Sequence, residues 1–90
     1  MESTEVFYKN DDANNWKVGY IKLGSYAFDF EAKVFDGGSE FGINGGRISK
    51  LFVTERNENV CLISYDRGWD LEPQDRLSEV LLSIILREFE

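Results

Sequence analysis

Two short segments hold residue types whose spacing suits ligand chemistry. In Tyr65-Asp66-Arg67-Gly68-Trp69-Asp70 an arginine stands between two aspartates and close to a tryptophan. A guanidinium grips a phosphate or carboxylate through paired N–H donors, and an indole face stacks on a ring. Asp66 and Asp70 would then hold a ribose or a cation. Paired carboxylates also serve acid–base chemistry or bind Mg²⁺, but a lone Asp-x-x-x-Asp is a feeble warrant for either. The structural alternative is an ion-pair knot at Arg67 that sets the angle between helix and sheet, with Trp69 packed against it. The second segment reads GGSEFGINGGR and places five of the eight glycines within residues 37–46. Asn44-Gly45 is a type I′ turn signal, because both central residues need positive φ. Asn44, Gly45, Gly46 and Arg47 thus read as a tight hairpin and a kinked strand. Their functional alternative is a loop whose backbone N–H groups surround an anion, with Arg47 beside it. Neither the dinucleotide fingerprint nor the P-loop is present.

Other chemistry is thinly supplied. The 90 residues include no histidine and one cysteine, Cys61. The usual zinc, copper and haem ligand sets are missing, so no metal or cofactor is expected. Histidine-activated nucleophiles are excluded as well. No catalytic residue is assigned, and the chain is expected not to be an enzyme. Cys61, mid-strand among apolar residues, reads as a small buried residue. A single cysteine cannot form an intramolecular disulfide, which points to the cytoplasm. The polar, acidic start is unlike a signal peptide, and no run approaches a membrane span.

Ten basic against 17 acidic residues give a net charge of −7. Residues 1–36 carry seven acids and four bases, 37–71 five and four, and 72–90 five and two. The charge is spread rather than blocked. Such a surface repels nucleic acid and anionic membranes, so neither is an expected partner. It suits solubility or a basic protein partner.

The elements that must position these segments are legible by period. Residues 4–9 suit a short strand and NDDANN, residues 10–15, a loop. WKVGYIKL, residues 16–23, reads as a strand that turns at Gly24-Ser25. In residues 25–35, Tyr26, Phe28, Phe30, Ala32 and Val34 alternate with polar or small residues, so one face is buried and one is wet. Asp36 to Ser39 is a turn. Strands follow at 47–55 and 60–66, joined by Arg56-Asn57-Glu58-Asn59. These two carry apolar residues at both parities, with Ile48 and Phe52 opposite Leu51 and Val53, as if covered on both faces. The C-terminal segment is a helix begun near Pro73 and capped by Asp70 or Glu72. Leu77, Val80, Leu81, Ile84 and Ile85 form its stripe. Glu88 and Glu90 fall at its unfavourable negative end, free to fray or to meet a basic partner.

The fold class implied is α+β: one domain over 1–90, with 1–15 a loosely attached strand and loop. Its antiparallel sheet has four or five strands, mostly a meander, with the helix on one face. A helix of about 17 residues spans roughly 25 Å, and four strands roughly 19 Å. One helix therefore leaves a sheet face bare. A homodimer, or the N-terminal strand and Trp16 folded over, would cover it.

FGINGGRISKL (41–51) together with SYDRGWD (64–70) resembles a family of short domains of unknown function associated with Gram-positive bacteria, their phages and mobile elements. The resemblance runs from about Trp16 to the C-terminus and carries no activity or catalytic residue. It implies a small accessory protein that engages or inhibits a host protein. The alternative is a binder of a nucleotide-like or anionic ligand through Asn44, Gly45, Gly46, Arg47, Asp66, Arg67, Trp69 and Asp70.

Overall fold

The computed structural model describes residues 4–11 and 15–90, so part of the loop expected at 10–15 lies outside the described residues. The strands are β1 (Thr4–Asp11), β2 (Trp16–Leu23), β3 (Tyr26–Val34), β4 (Ile48–Glu55), β5 (Val60–Asp66) and β6 (Trp69–Leu71), followed by helix α1 (Arg76–Phe89). All pairs are antiparallel, and the spatial order is the chain order, β1-β2-β3-β4-β5-β6. The architecture is α+β as expected, but the sheet has six strands, not four or five. The addition is β6, three residues between Gly68 and Pro73. So short a strand shows no period, and its flanking glycine and proline read as loop.

One face of the sheet and α1 make the core. The alternation in β3 holds for Phe28, Phe30, Ala32 and Val34, which are buried, whereas Tyr26 at the start of the strand is exposed. Ile21, Leu51, Val53, Ile63 and Tyr65 join them from neighbouring strands, and Leu81, Ile85 and Phe89 from the helix. Each large apolar side chain so buried contributes about 1.5–3 kcal/mol. Phe89 packs on Phe30 at 5.8 Å and edge-on to Tyr8 at 4.9 Å, which seats the helix end over β1 to β3.

The late strands are not covered on both faces. The pairing slips between Lys33 and Val34, so that Val34 opposes Ile48 while Lys33 opposes Lys50. An extra residue at a bulge reverses parity. Ile48 is thereby buried on the same side as Leu51 and Val53. A second slip, between Val53 and Thr54, leaves Cys61 opposite Thr54 and exposed rather than buried. The apolar residues at both parities thus mark bulges, not a second covering layer.

The helix starts later than expected. Asp75 is the N-cap, and its carboxylate accepts the Ser78 N–H at 2.8 Å. That hydrogen bond holds the Asp75 carboxyl below its ordinary range. The buried stripe is Ser78, Leu81, Ile85 and Phe89, while Leu77 and Val80 are exposed. A serine in the contact face hid the true phase of the helix. Strand β1 lengthens the sheet beside β2 instead of folding over it. The far face therefore stays open, with Phe7 stacked on Tyr20 at 4.8 Å and Val18 exposed. Among the described residues no helix is long and apolar enough to cross a membrane.

Candidate functional site

The glycine-rich segment does hold an anion, and the anion is its own. Ile43 O accepts the Gly46 N–H at 2.9 Å, with φ of 56° at Asn44 and 74° at Gly45. This is the turn the Asn-Gly pair specifies. It sits inside a long loop between β3 and β4 rather than at a hairpin tip. The turn presents the next two amides to the side chain of Glu90. Arg47 N–H donates to Glu90 Oε2 at 2.8 Å, and Ile48 N–H to Oε1 at 3.3 Å. A Cβ on Gly46 would collide with that carboxylate, so glycine is what allows the approach. The Arg47 side chain turns away, its Nε–H donating to Phe35 O at 2.8 Å, while Phe35 N–H donates back to Arg47 O at 3.0 Å. Glu90 is thus neither frayed nor free for a partner.

The second segment divides between the two faces of the sheet. Tyr65 and Trp69 are paired across β5 and β6, and their rings meet edge-on at 4.9 Å. Tyr65 O–H donates to Phe41 O at 2.7 Å. Trp69 thus packs on the core side, and Asp70 is exposed on β6. Arg67 lies in the turn between those strands at φ 58°. Every other described residue with positive φ is asparagine or glycine: Asn15, Gly24, Asn44, Gly45 and Asn59. The left-handed region costs an L-residue with a Cβ about 1–2 kcal/mol. The turn is held by Arg67 N–H to Ser49 O and by Asp66 N–H to Gly68 O, both at 2.9 Å. Its conformation would suit glycine better than arginine.

Beside this turn, at the Lys33–Lys50 end of the sheet, lies a depression of about 340 Å³. Lys33, Lys50 and Arg67 line it with Phe35 and Phe41. One oxygen of Asp66 stands 3.6 Å from both Lys50 Nζ and Arg67 Nε, beyond hydrogen-bonding range of either. Lys33 Nζ lies over the rings of Phe35 and Trp16, 5.6 and 6.0 Å from their centroids. The structure therefore brings Arg67 into this cleft, with Asp66 beside Arg67 and Lys50, but leaves Asn44, Gly45, Gly46, Arg47, Trp69 and Asp70 out of its lining. The sequence reading missed Lys33 and Lys50, which look like ordinary wet-face residues. They come together only through the β3–β4 register, which places Lys33 opposite Lys50.

At the opposite end a depression of about 410 Å³ opens between the β2–β3 turn, the β4–β5 turn and the start of α1. Leu23, Tyr26, Phe28 and Leu77 form its apolar wall, and Glu55 and Glu58 its rim. Tyr26 is 59% exposed there. Glu55 accepts the N–H groups of Asn57 and Glu58 and so fixes the turn. The neighbouring Arg56 is drawn away by Asp29, at 2.6 Å, and by the ring of Tyr20, at 4.7 Å. The Asp29 hydrogen bond raises the Arg56 pKa further above its ordinary value. The rim is left acidic. No group of three or more metal-ligating side chains occurs among the described residues.

Structurally, then, this is a one-layer antiparallel meander backed by helix α1, with a cationic depression at one end of the sheet and an acid-rimmed one at the other. The chain belongs to the family described as Domain of unknown function (DUF7678), whose model matches residues 15–90. Strand β1 lies outside that match yet pairs with β2 along eight residues. No curated protein and no solved structure matches the chain.

Proposed function

We propose that the protein is a non-enzymatic binding domain that engages a basic segment of a partner protein, as a small phage or mobile-element accessory protein would engage a host protein in the cytoplasm. The observation that carries this is the acid-rimmed apolar depression: Tyr26 and Leu77 offer exposed contact area, with Glu55 and Glu58 above them. An apolar anchor flanked by lysine or arginine satisfies both features. The net charge of −7 steers such a segment toward the domain.

The test is selection from a random peptide library on the immobilised domain. Enriched peptides should pair a cation with a leucine or aromatic residue, bind more weakly at high salt, and lose binding to Leu77→Ser or Glu58→Lys. Enrichment of acidic peptides, or binding indifferent to both variants, would sink the reading. Self-association is a second reading, favoured by exposed Phe7 and Val18 on the open sheet face. Sedimentation at high concentration that returns only the 10.4 kDa monomer would exclude it.

A further inference from the structure

We infer that the cationic depression at the other end of the sheet is a binding site for a small phosphomonoester that carries a planar ring, a nucleoside monophosphate in type. This goes beyond partner binding and does not depend on it. Two independent observations meet here.

The first is local charge. The chain carries −7 overall, yet Lys33, Lys50 and Arg67 converge on this one space, with Asp66 between two of them. Like charges repel, and the one carboxylate between Lys50 and Arg67 stands 3.6 Å from each, so the group favours an added anion. A doubly charged phosphate would resolve the excess, because its oxygens accept from several cationic donors at once. The second is Arg67 itself. It is the one described residue at positive φ that is neither asparagine nor glycine. Its side chain is 66% exposed, and among the described residues its ion pair is the loose one to the adjacent Asp66. Neither the backbone nor packing asks for arginine at this position. Strain kept at such a position points to function.

The walls narrow the ligand class. Phe35 and Phe41 are partly exposed beside the cations and offer faces or edges to a ring. The volume lies at the lower end of the roughly 300–1,000 Å³ typical of small-molecule sites. Asp36 and Glu40 on the flanking loop, together with the net charge, disfavour a long polyanion. A single phosphate with one ring fits better than a nucleic-acid strand.

The experiment is a heteronuclear NMR titration of the whole chain with AMP, phenyl phosphate, inorganic phosphate, adenosine and a short oligothymidylate. We expect saturable shifts at Phe35, Phe41, Lys50 and Arg67 for AMP and phenyl phosphate, weaker saturation by phosphate, and none by adenosine. Arg67→Gly should weaken AMP binding by at least about tenfold while the melting temperature holds or rises. Phe41→Ser should remove the advantage of AMP over phosphate. Lys50→Gln is a second variant in case either disturbs the turn, and it should also weaken AMP. Shifts that never saturate, or equal AMP binding by Arg67→Gly, would overturn the assignment. Tighter binding of the oligothymidylate than of AMP would replace it with single-strand recognition.

Discussion

The glycine-rich loop and the Asp66–Trp69 turn look alike as sequence. Each pairs small or turn-forming residues with an arginine, and each suggests a grip on an anion. In the folded protein they part company. The loop closes its backbone amides over Glu90, and Arg47 is spent on the Phe35 carbonyl. The turn keeps its arginine in a backbone conformation that arginine disfavours, lining a depression with Lys33 and Lys50 and only loosely paired to Asp66. One region has satisfied its chemistry internally and serves the fold. The other gathers three cations around one loosely placed carboxylate. The lesson is to ask where the counter-charge is before naming a site.

The comparison can be broken from the loop side. Phe89→Ala should cost about 3–5 kcal/mol, because it empties the contact with Phe30 and Tyr8 and unseats the residue before Glu90. Chemical denaturation would measure the loss. Hydrogen exchange should rise at Arg47 and Ile48 well before it rises in the Asp66–Trp69 turn. Gly42→Ala places a Cβ on the Gly46 carbonyl oxygen and should cost about 1–3 kcal/mol. Glu90→Gln keeps an acceptor but removes the charge. It should cost about 1 kcal/mol, with its exchange effects confined to the loop amides.

From the turn side the sign reverses. Arg67→Gly should leave stability unchanged or raise it by up to about 1 kcal/mol, although it removes a charged side chain. A clear loss of stability would show that the arginine is structural after all. The smallest effect separates both regions from the helix start. The folded-state pKa of Asp75 lies below its unfolded value. Its stabilising charge is therefore present above the unfolded pKa and is lost as pH falls through the folded one. Helix content followed by circular dichroism from about pH 5 to pH 2 should decline. Asp75→Asn, which retains an acceptor without the charge, should flatten that part of the curve.

Much of the sheet was legible because period-two alternation in β3 and short polar links leave few arrangements open. Strand β6 was not, since three residues cannot display a period. The bulges at Ser49 and Leu62 were not legible either. An extra residue shifts the parity of everything beyond it, and apolar residues at both parities then imitate a doubly buried strand. The helix stripe was misphased because Ser78 faces the core while Leu77 and Val80 do not. At the candidate sites, Arg67 was visible by type and Asn44-Gly45 by turn chemistry. Glu90 could not be linked to Gly46 from sequence, since the contact spans more than forty residues. Lys33 and Lys50 could be paired only once the register was known.

The sheet's order also bears on how the chain reaches this state. Each strand pairs with the next one in sequence, so no pairing waits for a distant segment to arrive. Contact order stays low for a β-rich domain, which favours fast acquisition of the meander. The helix follows the strands and supplies most of the cover for the apolar face, with Ile43 of the β3–β4 loop beside it. During synthesis the sheet would thus be assembled before it is sheltered, with an uncovered hydrophobic face until α1 leaves the ribosome. Truncation within α1 should accordingly yield not a smaller folded domain but a sticky, aggregation-prone one.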